Sequence, residues 1–177
     1  MRRIVFVLAD GLRPDAPGRG VPPHPGGRNA GAGLMRWLTH LGGARATLGA
    51  GVALLPFGGA TARLGLTVLV ANVLSHAAVQ ALKRTVVRAR PCDAVGHPRA
   101  VVDLPDPFSF PSGHAAAAMA VAASVALADP LLGPVVLPLA ALVGYSRVRL
   151  RVHHVSDVLA GAVLGLAGAM VASRLLR

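Results

Sequence analysis

The sequence predicts an all-α, membrane-embedded bundle of about four to five helices, with its polar chemistry gathered at one membrane face. Three observations carry this. Hydrophobic residues make up 54% of the 177 positions and charged ones only 14%, whereas a soluble domain is roughly one quarter charged. Apolar segments succeed one another from residue 44 onward, and two of them reach the roughly 20 residues that cross a bilayer. Two connections, Lys83–Ser112 and Ser146–His154, hold nearly all of the remaining polar chemistry.

The elements follow in order. Residues 1–43 are expected to be a poorly structured tail whose deletion leaves activity intact. An apolar run, Ile4 to Ala9, is too short to span and is broken by Asp10. No small-residue cleavage site of a signal peptide follows it, and the continuation is rich in Gly, Pro and Arg. The stretch FVLADGLRPD resembles the opening strand of metal-dependent phosphodiesterases of the alkaline-phosphatase type. Nothing downstream supplies the other ligands, and the likeness is read as coincidence. The membrane-embedded domain is placed at 44–177. Ala44–Phe57 is short and weak, Ala60–Leu82 is long enough to span, and Gly113–Ala128 is Ala-rich. Leu131–Tyr145 and Val155–Leu175 complete the series. Their many Ala and Gly residues suit close approach of helices in lipid. The lone cysteine, Cys92, has no partner for an internal disulfide.

The net charge of +11 comes almost entirely from Arg. Nucleic acid is a poor partner for this chain, because one Trp and one Tyr offer no stacking platform. Two partners fit the charge: anionic membrane lipids, and a phosphorylated substrate gripped by planar guanidinium groups.

Three clusters carry the chemistry: KRTVVRARP from Lys83, FPSGH from Phe110, and SRVRLRVHHVSD from Ser146. Topology lets them meet. The helix ending near Leu82 delivers Lys83 and Arg90 to one face, and the helix from Gly113 starts on that face. The chain crosses, turns at Asp129–Pro134, and returns Arg147, His153 and Asp157 beside His114. Lys83, Arg90 and Arg147 are three cations suited to the spread charge of a phosphoryl group. Ser112 and Gly113 open a helix, where backbone N–H groups favour an anion. The two histidines, His114 and His153, supply between them a nucleophile and a general acid. Asp157, four residues after His153, is one helical turn away and suited to fixing its tautomer. Arg84, Arg88, Arg149 and Arg151 read as headgroup anchors, and His40, His76, His97 and His154 as incidental. A metal at His114, His153, His154 and Asp157 is disfavoured by the surrounding cations.

Together these motifs resemble the type 2 phosphatidic acid phosphatase superfamily. Its three-part signature, K-x6-R-P, P-S-G-H and S-R-x5-H-x3-D, is matched at Lys83 to Arg90–Pro91, at Pro111 to His114, and at Ser146–Arg147 through His153 to Asp157. Each piece is weak and the ordered set is specific. The resemblance implies a lipid phosphate phosphatase with no metal and no cofactor. In it His153 forms a phosphohistidine, Asp157 orients His153, and His114 protonates the leaving oxygen. Lys83, Arg90, Ser112, Gly113 and Arg147 would bind the phosphoryl oxygens. Implied substrates are a polyprenyl diphosphate, phosphatidic acid or a prenyl-linked sugar phosphate. The alternatives are a non-catalytic lipid-phosphate binder or transporter and, further off, a vanadate-dependent haloperoxidase. Membrane members of the family usually have six helices and an external active site. The Arg-rich motif face would instead lie in the cytoplasm by the positive-inside rule; several of those charges are proposed substrate ligands, so the external face that the resemblance implies is favoured, and the oligomeric state is open.

Overall fold

The computed structural model describes residues 30–93 and 108–177. Within them lie six α-helices: α1 Ala30–Leu41, α2 Ala44–Leu54, α3 Gly59–Thr85, α4 Gly113–Ala128, α5 Gly133–Arg149 and α6 Val155–Leu175. Short 3-10 turns follow α2 and α4. The all-α expectation holds, with one helix more than the four to five predicted.

The extra helix corrects the tail. Residues 30–41 of the stretch expected to be unstructured form α1. Leu34, Trp37, Leu38 and Leu41 recur at the i, i+3, i+4, i+7 spacing of an amphipathic helix, a signal masked by the Gly- and Pro-rich residues before it. Leu38 and Thr39 are buried, and α1 packs on α5. The alkaline-phosphatase-like stretch and His97 lie outside the described residues.

α4 is the central helix, packed against α3, α5 and α6. Its sequence explains the position. Seven of its 16 residues are Ala or Ser buried in the bundle, and such small side chains let neighbours approach from several sides. α6 meets it through a glycine row. A Cβ on Gly161 would strike the Ser112 carbonyl, and one on Gly165 the Ala116 carbonyl. On the same helix, a Cβ on Gly168 would lie 2.8 Å from the carbonyl of Ala71 in α3.

Large apolar side chains point outward instead. Val73, Leu159 and Val163 are each more than 60% exposed, while the centre is filled by Ala, Gly and Val. Bulk outside and small residues inside is the pattern of helices solvated by lipid. Helix α3, the segment Pro130–Arg149 and helix α6 are each long and apolar enough to cross a membrane. This is a membrane protein.

α3 ends, α4 begins, α5 ends and α6 begins at the same end of the bundle. The residues that join them there form the site.

Candidate active site

Each predicted residue can be followed from its element. α3 carries Lys83 on its last turn, buried, with Nζ donating to the Phe108 carbonyl at 3.0 Å. The chain leaving α3 brings Arg90 inward, where its guanidinium donates to the Val152 carbonyl at 2.9 Å. The last turn of α5 buries Arg147, which donates to Thr39 Oγ1 of α1 at 2.7 Å. Arg147 Nε is buried and has no hydrogen-bond partner among the described residues. A buried donor of this kind is uncommon unless a ligand completes it.

The loop between α5 and α6 is turned by Arg151, whose backbone is left-handed at φ 56°. Val152 is thereby fully buried, and His153 is turned toward the other polar residues. His153 Nδ1 lies 2.6 Å from the Ser109 carbonyl. A carbonyl only accepts, so Nδ1 carries the proton and the Nε2 lone pair is left. Nε2 lies 3.4 Å from Arg90. Burial pushes the His153 imidazole below its ordinary pKa, and Arg147 and Arg90 add to that push. The Asp157 carboxylate and the Ser109 carbonyl oppose it.

Asp157 departs from expectation. Its Oδ2 is 3.7 Å from His153 Nδ1, an electrostatic rather than a hydrogen-bonding distance. The direct acceptor is the Ser109 carbonyl. Asp157 is instead the hub of a buried clamp. Arg88 donates to Oδ1 at 2.7 Å, while the Ser109 hydroxyl and the His154 backbone amide, the latter at 2.8 Å, donate to Oδ2. The His154 ring lies 3.2 Å from Oδ2, and the bond from the His154 amide to Oδ2 forms part of a capping box on α6. Three readings change accordingly. Arg88 is a partner of Asp157 rather than a headgroup anchor, and it also reaches Ser156 at 2.7 Å. His154 is a helix cap rather than incidental. Ser109, which the sequence reading passed over, holds both His153 and Asp157. Only its place next to the FPSGH cluster hinted at this.

Ser112 also takes another task. Its amide donates to the Asp157 carbonyl at 2.9 Å, and its hydroxyl caps α4 by accepting from Ala115 at 3.4 Å. It is fully buried and does not line the cavity. Gly113 and His114 do. Gly42, between α1 and α2, closes the site from the far side. A Cβ there would sit 2.8 Å from the His114 carbonyl.

A cavity of about 830 Å³ opens onto this cluster. Lys83, Arg90, Arg147, His114 and His153 all line one end of it. Three cations, a deprotonated ring nitrogen and a second histidine thus face one space, a set that can hold a tetrahedral oxyanion against an in-line nucleophile.

A helical bundle that presents this constellation at one end is the hallmark of one class, and a family model described as PAP2 superfamily matches residues 61–177. The chain belongs to the PAP2 superfamily. Among its relatives, the decaprenylphosphoryl-5-phosphoribose phosphatase of Mycobacterium tuberculosis is 43% identical over 104 residues, covering 56% of this chain and 55% of that one. The undecaprenyl-diphosphatase of Sulfolobus acidocaldarius is 32% identical over 104 residues, 56% of this chain and 49% of that one. The chain therefore spans about half the length of the curated relatives it matches. Two crystal structures share the fold. LpxE of Aquifex aeolicus superposes with a TM-score of 0.71 at 22% identity, covering 82% of this chain and 87% of that one. The transmembrane PAP2-type phosphatidylglycerolphosphate phosphatase of Bacillus subtilis gives 0.67 at 28% identity, over 83% and 77%.

Proposed function

We propose that the chain is a multi-pass membrane phosphatase that hydrolyses the phosphomonoester or diphosphate of a lipid through a phosphohistidine on His153. The observation that carries this is the state of His153. Its Nδ1 is pinned to the Ser109 carbonyl, so Nε2 holds a lone pair at a cavity end lined by three cations and His114.

The chemistry runs in two displacements. Nε2 attacks phosphorus, and the bond from phosphorus to the leaving oxygen breaks. His114 gives that oxygen its proton, and the anionic substrate beside His114 favours the protonated imidazole that the step needs. Water then attacks the phosphohistidine while His114 takes a proton back, releasing inorganic phosphate and restoring Nε2. Lys83, Arg90, Arg147 and the first amides of α4 at Gly113 and His114 hold the phosphoryl oxygens. Asp157 acts through its clamp on Ser109 and on the start of α6. The named relatives support a lipid substrate, since they act on decaprenylphosphoryl-5-phosphoribose, undecaprenyl diphosphate and phosphatidylglycerolphosphate.

The site face is proposed to lie outside the cytoplasm. Lys83, Arg88, Arg90 and Arg147 are engaged in the site's own bonding, so they weigh little in the positive-inside count that favours the opposite orientation.

The test is phosphate release from lipid phosphates in detergent with EDTA present, for the wild type, His153→Ala and His114→Ala. The reading requires release that survives EDTA and is lost in both variants. Trapping of a base-stable, acid-labile phosphoprotein in the wild type but not in His153→Ala identifies the intermediate. Release abolished by EDTA, or retained in His153→Ala, refutes the mechanism.

A further inference from the structure

Helix α1 is the most strongly amphipathic of the six described helices, and its residues divide into three sectors rather than two. At about 100° per residue, Leu34, Trp37 and Leu41 fall within about 60° of one another, and all three are exposed. Leu38, Met35 and Thr39 occupy the face toward the bundle, where Leu38 and Thr39 are buried and Met35 is half-buried. Arg36 and His40 share the remaining side, within about 40° of each other, and both are exposed. One sector thus meets protein, one is exposed and apolar, and one is exposed and polar.

Neither a purely aqueous nor a purely lipid surrounding accounts for this. In water nothing would favour a stripe on which Trp37 is 63% and Leu34 54% exposed. In hydrocarbon there would be no place for Arg36, and the 12 residues of α1 rise only about 18 Å of the roughly 30 Å to be crossed. Three sectors suit a helix lying along the membrane surface, where protein, lipid and water meet. The fold puts it there. Thr39 accepts from Arg147 in the last turn of α5, and Gly42, just beyond α1, lies against His114 in the first turn of α4. α1 therefore sits at the end of the bundle where the membrane-crossing segments stop. The extended backbone of Gly43 (φ −74°, ψ 154°) separates it from α2, so the two need not share an axis. Trp is enriched at this depth because its ring is apolar and its N–H polar, and Trp37 is the single Trp of the chain.

We propose that α1 is an interfacial helix whose Leu34–Trp37–Leu41 face beds in the headgroup–acyl boundary of the leaflet at the site's end, and that this seating, through Thr39, fixes Arg147 at the cavity. Such a face buries about 5–10 Å into the boundary, which leaves Arg36 and His40 to reach headgroup phosphates and water. The depth of α1 is independent of the phosphatase reading, while its effect on Arg147 rests on that reading.

The first experiment reads depth from Trp37. The full chain is placed in nanodiscs of phosphatidylcholine brominated either near the head or near the methyl end of the acyl chain. Emission should fall by about half or more with the shallow bromine and clearly less with the deep one, and iodide in the water should quench little. Stronger quenching by the deep bromine would mean an upright helix, and quenching by iodide alone would place Trp37 in water. Emission that neither bromine nor iodide reaches would mean that another part of the chain, or a second copy, covers the face. Each of these three outcomes overturns the proposal. The second experiment titrates inorganic phosphate, as the probe for the cavity, in the same nanodiscs. Leu34→Gln/Leu41→Gln, which alters only the exposed stripe, and Thr39→Val should each raise its Kd about three- to tenfold, and Thr39→Ser, which keeps the acceptor, should recover most of the loss. A wild-type Kd in Leu34→Gln/Leu41→Gln would show that the bedding of α1 does not govern Arg147, and would overturn that half. Wild type that binds no phosphate would defeat the phosphatase reading and the link to Arg147 with it, while the quenching still decides where α1 lies.

Discussion

Replacing Ser109 by Ala separates positioning of the nucleophile from binding of the substrate. Ser109 is fully buried. Its carbonyl accepts from His153 Nδ1 at 2.6 Å, and its hydroxyl donates to Asp157. The substitution keeps the carbonyl and deletes the hydroxyl. A hydrogen bond to a charged group is worth about 1.5–3 kcal/mol. Arg88 and the His154 amide still hold the carboxylate, so the lower part of that range applies, about 1.5–2 kcal/mol. If the loss falls on the alignment of His153 at the transition state, kcat drops roughly 10- to 30-fold at 1.36 kcal/mol per decade. KM stays within about twofold, because Ser109 does not line the cavity. The assay is initial-rate phosphate release in micelles, with thermal unfolding measured in the same detergent. Ser124→Ala is the comparison. It removes a comparably buried hydroxyl that, among the described residues, bonds within α4, to Ala120 at 2.7 Å, and its kcat should match wild type. A Ser109→Ala enzyme with wild-type kcat, or one whose loss appears in KM alone, refutes the reasoning.

Arg88→Gln should lower kcat about five- to tenfold, since the charge-assisted bond it removes comes from a side chain that is itself 31% exposed and reaches the buried Asp157, and Arg88→Lys should recover part of it. Thr39→Val, which removes the acceptor for Arg147, should raise KM several-fold; a wild-type KM would mean that α1 does not set the arginine's position. Gly161→Ala should disrupt packing, because the new Cβ strikes the Ser112 carbonyl and lies 3.3 Å from Ala115 and Ala116; wild-type thermal stability would contradict it. The acid limb of kcat/KM should fall below pH 6.5, because burial lowers the His153 pKa and the neutral ring is the nucleophile. The stability sign is the same. The unfolded chain binds the His153 proton first as pH falls below about 6.5, so that contribution is full above this pH and is lost toward the lowered folded value. An acid limb above pH 7 would contradict the assignment.

The helices and their cavity residues were legible because period and motif spacing are local properties. Lys83, Arg90, His114, Arg147 and His153 stand where a reading of polar connections between apolar segments put them. What stayed hidden is tertiary. Arg88 looked no different from Arg84, and only the folded chain brings it to a carboxylate 69 positions away. Ser109 works partly through its main-chain carbonyl, a group that every residue carries and no sequence pattern marks. Ser112 and Asp157 were correctly placed in the neighbourhood, but their roles depended on which donor reached which acceptor. α1 is hard to see in the sequence because the Gly-, Pro- and Arg-rich residues before it outweigh the short apolar spacing that begins at Leu34.

The glycine row on α6 has a consequence for how such a protein diversifies. Where Gly161 meets the Ser112 carbonyl and Gly165 meets the Ala116 carbonyl, the spacing between the helix led by His114 and the helix that follows His153 is set by main chain against main chain. No rotamer there can yield, so drift in neighbouring side chains cannot slowly retune the gap between the two histidines. The wall formed by α2 and α3 has its own main-chain seam where Gly65 meets the Gly51 carbonyl, but its cavity-lining positions Leu48, Val73, His76 and Gln80 are side chains apart from that seam. Selection for a new lipid can therefore rewrite that wall one residue at a time while the reaction chemistry is inherited unchanged.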